Sequence, residues 1–275
     1  MRSIRRDTGT GGFDMPLLVN ADDLGKNDSV NRAICEAFEK GYITSTTLMA
    51  NMPAAHDAYR LAQEKGFADR VGVHLNITEG MPLTKGIRNN PLICAADGSF
   101  NAAFYHNTKY RLYMDRQSID MIRDELEAQI ELFLEMGFTN LHIDSHHHVH
   151  TNYPVYRAIK ELADRYKFDY VRLSRNLYRG GSLSNNIYKH FYNNAVRKLA
   201  AHTSDHFGSY RDIMSYVFLD PYKASDRSRF PNEEVISLAR EKTLEIMVHP
   251  MYDEQGNLVD TDIPMNEERF DIIGL

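Results

Sequence analysis

From residue 15 to residue 248 the chain alternates short apolar runs with stretches of helical periodicity, and this pattern constrains the fold more than any other feature. Such alternation marks βα units, in which helices pack on a parallel sheet. The apolar runs fall at residues 15–20, 43–49, 71–77, 142–145, 170–173, 213–218 and 243–248. After the first of them, Asp28 is placed to cap a helix whose apolar positions Val30, Ala33, Ile34, Ala37 and Phe38 keep to one face, and Gly41 closes it. Further helices are expected over residues 54–65 and 118–136, after Pro154, around 186–201 and near 233–242. Seven strands in one parallel series predict an α/β fold of irregular TIM-like (β/α) barrel type, with residues 15–275 as one domain. Residues 1–14 contain Gly9, Gly11 and Gly12 and no periodicity, and read as a disordered leader or tag-like extension before Met15.

The net charge of −6, without any Lys/Arg-dense stripe, gives no electrostatic footprint for nucleic acid or an anionic membrane. A small neutral or weakly charged ligand is the better match, and a homodimer is the default assembly. No apolar run approaches the roughly 18 residues needed to span a bilayer, and the polar opening lacks the apolar centre of a signal peptide. The expectation is a cytoplasmic protein. Cys35 and Cys94 are too few and too isolated for a disulfide framework or a thiolate zinc site. Any metal would be held by nitrogen and oxygen.

Between Leu141 and His150 stand five of the twelve histidines: His142, His146, His147, His148 and His150. Imidazole is the commonest protein ligand for catalytic divalent metals, so this density points to a metal. In β/α barrels the catalytic groups sit at the carboxyl ends of the strands. Asp22 and Asp23 follow the first strand, His74 ends the third, the histidine cluster follows the fourth, Arg172 lies on the fifth and His249 follows the last. All of them fall at one end of the predicted barrel, which scattered structural histidines would have no reason to do.

The ordered set Val19-Asn20-Ala21-Asp22-Asp23-Leu24-Gly25, Thr44-Ser45-Thr46-Thr47, Gly72-Val73-His74, His142-Ile143-Asp144-Ser145-His146-His147-His148-Val149-His150 and Met247-Val248-His249-Pro250 resembles the YdjC-like carbohydrate deacetylases, which include the chitooligosaccharide deacetylases. The resemblance runs from Met15 to about Pro250. Leu24 stands where that family usually has Phe, the leader is extra, and residues 86–116 match nothing that places them. The resemblance implies an irregular β/α barrel, a divalent metal and hydrolysis of an N-acetyl group on an amino sugar.

It further implies that Asp23 binds the metal and Asp22 is the general base, the two sitting on the turn beyond the first strand. His74 and His146 then complete two nitrogens and one oxygen, with open positions for water and an acetyl oxygen. Mg2+ is the ion the family points to, and Zn2+ would also suit two imidazoles. His249 is the candidate to protonate the departing amine. Arg172 either holds Asp22 ionised or forms a structural salt bridge. His148 and His150 are expected to orient ligands from behind, His147 to point into the barrel wall, and Asp144 to hold a ligand imidazole or serve the substrate. In the unmatched segment, Phe100, Phe104, Tyr105, Tyr110 and Tyr113 offer flat faces to a sugar ring or form a satellite core. A metal-dependent phosphoesterase on a similar barrel is the alternative from another reaction class; it would call for two metals and more cationic residues at the site.

Overall fold

The computed structural model describes residues 17–173, 183–203, 205–206, 208–211, 233–241 and 243–267. Among these residues, seven strands form one sheet: β1 (Leu17–Leu24), β2 (Ser45–Leu48), β3 (Val71–Leu75), β4 (His142–Ser145), β5 (Tyr170–Val171), β6 (Asp205–His206) and β7 (Leu244–Val248). Their order is β5-β4-β3-β2-β1-β7-β6, and every pairing is parallel. A single parallel bridge from Tyr170 to His202, just before β6, links the two edges. The architecture is α/β, with a curled parallel sheet.

The helices described around the sheet are α1 (Asp28–Glu39), α2 (Ala55–Lys65), α3 (Ala103–His106), α4 (Thr108–Leu112), α5 (Arg116–Glu135), α6 (Tyr153–Tyr166), α7 (Leu183–Val196) and α8 (Glu233–Glu241). Beyond β7 the chain adds a small antiparallel sheet of β8 (Pro250–Tyr252), β9 (Leu258–Asp260) and β10 (Ile263–Pro264), which the periodicity did not announce. The expected leader and the strand placed at residues 213–218 lie outside the described residues. Among the described residues, the strand before β7 is Asp205–His206, too short to leave an apolar run. Among the described residues, no helix is long and apolar enough to cross a membrane.

The reasons for this arrangement are local first. The α1 cap is Asn27, not Asp28: its side chain accepts from the Val30 amide at 3.0 Å, and Asp28 takes the first helical position, where its charge suits the helix dipole. Asp115 caps α5 in the same way through the Ser118 amide. All eight residues of β1 are buried, as expected of a strand covered on both faces.

Alternation along the strands then sorts the two faces. One side presents Val19, Ala21, Leu48, Val73, Ile143, Val171, Ile246 and Val248 to the helices, in a continuous apolar core. The opposite side is polar: Asn20, Asp22, Thr47, His74, Asp144, Arg172 and Glu245 are all buried there and touch one another. Gly72 on β3 lets the strands close up on that side. A Cβ at Gly72 would stand 2.5 Å from the His142 carbonyl oxygen on β4.

Candidate metal centre and active site

Asp22 and Asp23 do not lie on a turn beyond β1, as the sequence reading expected; both are inside it. Between Ala21, paired with Thr46, and Leu24, paired with Leu48, β1 carries one residue more than β2. This is a β-bulge. Asp23 absorbs it with φ +72°, a left-handed conformation that Asp tolerates better than most residues. Strict alternation would send neighbouring side chains to opposite faces. The bulge brings both carboxylates to one site.

Asp23 meets the two imidazoles. Its Oδ1 lies 2.8 Å from His146 Nδ1 and 3.3 Å from His74 Nε2, and these three donor atoms all fall within 4.8 Å of one another. His146 opens the turn His146–Thr151 that follows β4, while His74 sits within β3. Asp23 Oδ1 and His74 Nε2 are buried without a hydrogen-bond partner. Two imidazole nitrogens and one carboxylate oxygen, gathered and left unsatisfied, suit a divalent cation.

The far side of each ring supports this reading. His74 Nδ1 is 2.6 Å from Asp144 Oδ1, and His146 Nε2 is 3.0 Å from Glu79 Oε2, so each imidazole is flanked by carboxylates at both nitrogens. Burial disfavours charge on His74, yet Asp144 and Asp22 overcome it and raise its pKa to about 10. Burial also opposes ionisation of Asp23, and the close imidazoles of His146 and His74 outweigh it, holding the carboxyl well below the usual range. The site attracts positive charge.

Asp22 is clamped beside this trio. Arg172, which follows β5 and is fully buried, reaches Asp22 Oδ2 with Nη1 at 2.7 Å and Oδ1 with Nη2 at 2.6 Å. The same Nη2 lies 2.6 Å from Asp144 Oδ2, and Nε lies 2.5 Å from Glu245 Oε1 on β7. Tyr170 donates its hydroxyl to the other oxygen of Glu245. Asn20 donates to Asp22 at 2.8 Å, and Thr47 donates to Asp144 at 3.0 Å. Burial works against a charged Asp22, but the guanidinium prevails and drops its pKa far below that of a free carboxyl.

The other candidates divide. His249 follows β7, half-buried, with its amide donating to Asp260 Oδ1 at 2.8 Å; its charge is felt by Asp22. His150 is buried, pairs with the Ser145 hydroxyl, and is pushed down to about 3 by burial and then by Arg172. His148 is half-buried, edge-on to His150 at 6.1 Å between ring centres. His147 does not enter the wall of the sheet: φ +52° turns it outward, where Nδ1 lies 3.1 Å from the Thr78 hydroxyl and the ring stacks on Tyr105 at 5.5 Å. In the 86–116 segment, Phe100 and Phe104 are buried in the core, whereas Tyr113 is exposed.

This geometry can be set beside known proteins. The family model described as YdjC-like protein matches residues 16–270. The chain belongs to the YdjC-like family. Among relatives, it is 38% identical over 186 residues to a protein of Halalkalibacterium halodurans named carbohydrate deacetylase, covering 67% of this chain and 75% of that one. A protein of the same name from Thermoanaerobacter pseudethanolicus is 34% identical over 191 residues, covering 66% and 72%. One from Clostridium beijerinckii is 39% identical over 149 residues, and there the match spans 54% of this chain and 56% of that one. A crystal structure of a candidate cellobiose-phosphate cleavage protein from Enterococcus faecalis shares the fold, with TM-score 0.62 and 24% identity over 87% of this chain and 82% of that one.

In this YdjC-like chain the sequence reading missed Glu79, Lys26, Asn20, Thr47, Glu245 and Asp260. Two of them left a signal. Glu245 is a lone charge in the apolar run 243–248, and Asn20 interrupts the first run; buried polar groups in such strands require partners across the sheet. Glu79 stands five residues beyond His74, past a strand end, and only the folded loop brings it to His146.

Proposed function

We propose that the chain is a metal-dependent hydrolase that removes the acetyl group from an N-acetylated amino sugar or a short chitooligosaccharide, cleaving a linear amide C–N bond and releasing acetate. The supporting observation is the convergence of Asp23, His74 and His146 next to an ionised Asp22, in a family whose relatives carry the name carbohydrate deacetylase. On this reading the sheet and helices form an irregular TIM-like barrel, residues 15–275 act as one domain, and the protein works in the cytoplasm.

Asp23, His74 and His146 would hold the divalent cation, Mg2+ by family resemblance with Zn2+ equally suited to the donors, and it would polarise the acetyl carbonyl and acidify a water. Asp22 then takes the proton of the attacking water. The Arg172 clamp keeps Asp22 in the form that can accept this proton, at a cost in basicity, so the proton stays on it only briefly. Asp144 holds His74 by its Nδ1 and leaves Nε2 free to face Asp23. His249, on the same side of the sheet, donates to the departing amine. Arg172 also bears on the phosphoesterase alternative: its guanidinium fills the space between Asp22 and Asp144 where a second cation would sit.

The test is acetate release from N,N'-diacetylchitobiose by metal-stripped and metal-reloaded protein, with Asp22→Asn and His74→Ala beside the wild type. Reloading should restore activity. Asp22→Asn should lose about 10²- to 10⁴-fold in kcat, the usual worth of a positioned acid or base, while still binding metal. Phosphate release from a general phosphoester without any acetate release would replace the proposal by the alternative.

A further inference from the structure

His146 differs from His74 in what holds it. Its Nδ1 faces Asp23 at 2.8 Å and its Nε2 faces Glu79 at 3.0 Å. An imidazole that binds a metal through one nitrogen carries its single N–H on the other, so only one of these carboxylates can receive it. The other nitrogen then turns a lone pair towards a carboxylate, which is repulsive unless a cation lies between them. Which nitrogen bears the hydrogen therefore decides whether His146 can bind a metal beside Asp23.

Glu79 is built to settle that choice. Its backbone is fixed before the side chain is considered: the amide donates to Asn76 Oδ1 at 3.1 Å, and the carbonyl accepts from Asn76 Nδ2 at 2.7 Å and from Asn51 Nδ2 at 3.3 Å. Gly80, with φ +76°, then carries the chain away. The carboxylate oxygen that meets His146 also meets Lys26 Nζ at 2.8 Å, so its charge is balanced at the rim of the site. Asp144, which does the corresponding work for His74, is wholly buried and shared with Arg172. Glu79 is the accessible one of the two.

We propose that Glu79 is the positioning residue of His146: its carboxylate accepts the Nε2 hydrogen, which leaves the Nδ1 lone pair facing Asp23 and sets the cation affinity of the site. The inference rests on the reading of Asp23, His74 and His146 as a cation site. Lys26, 2.8 Å from Glu79 and 3.6 Å from Asp23, balances both carboxylates and takes no part in ligation. Carboxylates that orient a metal-binding imidazole typically contribute 10- to 100-fold in affinity.

Calorimetric titration of the metal-stripped full chain with Zn2+ and with Mn2+ tests this, using wild type, Glu79→Ala, Glu79→Gln and Lys26→Met. Glu79→Ala should bind about 10- to 100-fold more weakly. Glu79→Gln keeps an oxygen that accepts from Nε2–H and should recover most of that loss. Lys26→Met removes a positive charge and should bind no more weakly than wild type. Nitrogen-15 spectra of the His146 ring in the Zn2+-loaded protein should show the Nε2–H form with a metal-bound Nδ1 in the wild type and the Gln variant, and only partial formation of it in Glu79→Ala. Unchanged affinity in Glu79→Ala, or an equal loss in Lys26→Met, overturns the role of Glu79 while leaving the cation site standing. A wild type that binds neither ion removes the cation site, and this role with it.

Discussion

His142 shows at the scale of one residue how burial in a polar interior is tolerated. It lies on β4 with no exposure, edge-on to Tyr170 at 4.4 Å between ring centres, and burial pushes its pKa down to about 4. In the unfolded chain a histidine takes up its proton near pH 6.5. Between pH 6.5 and 4 the unfolded state therefore binds a proton that the folded state refuses, and stability falls as the pH falls, by about 1.4 kcal/mol per pH unit for this one group. Urea unfolding of wild type and His142→Gln at pH 7, 5.5 and 4.5 should show a smaller acid-side loss in the variant. Parallel curves would mean that His142 is not the group responsible. The catalytic candidates were largely legible at this scale, because Asp22, Asp23, His74 and His146 are residue types with few uses other than chemistry when they cluster at strand ends. Glu79 was not legible, since a glutamate in a loop is ordinary until a fold sets it against an imidazole.

At the scale of the element, two local departures from regular strand geometry build the site. The bulge in β1 turns Asp22 and Asp23 to the same face, and the missing side chain at Gly72 lets β3 and β4 approach so that His74 and Asp144 meet at 2.6 Å. Gly72→Ala places a methyl 2.5 Å from a backbone oxygen, which only a shift of one strand can relieve. The expected cost is about 3 kcal/mol of stability, at the upper end for overpacking, with weaker metal binding because His74 and Asp144 move apart. Thermal unfolding and metal titration of Gly72→Ala check both; wild-type values in each would show that the close approach is incidental. Apolar periodicity located most of the strands and helices within a few residues. It could not register the bulge, whose extra residue is defined only against the partner strand, nor β6, two residues long and outside every apolar run.

Across the whole molecule, Arg172 ties the sheet together from within. It reaches from the end of β5 to Asp22 on β1, Asp144 on β4 and Glu245 on β7, strands far apart in sequence. A buried charge that loses its partners costs about 3–5 kcal/mol, more than the intact cluster contributes. Arg172→Met should therefore destabilise the fold by at least that order at pH 7, because three carboxylates lose their common cation. Without it, burial acts on Asp22 with its main opposing charge gone, and the folded-state pKa of Asp22 rises. The penalty is then absent at low pH and grows as the pH rises through the carboxylate range, the reverse of the trend at His142. Denaturation of Arg172→Met against wild type from pH 4 to 7.5 reads this directly, and a gap that does not change with pH would refute it.

The sequence by itself determined that the chain makes βα units and that its clustered histidines and aspartates stand towards the carboxyl ends of the strands. Periodicity and residue type are local properties, and each is written within a dozen neighbouring positions. Only the tertiary structure decided that Arg172 serves three carboxylates at once, that Glu79 and Asp144 each hold the far side of one imidazole, and that His147 turns outward. These facts depend on distances between segments 28 to 150 residues apart, and those distances exist only after the sheet has curled and closed its polar face away from water.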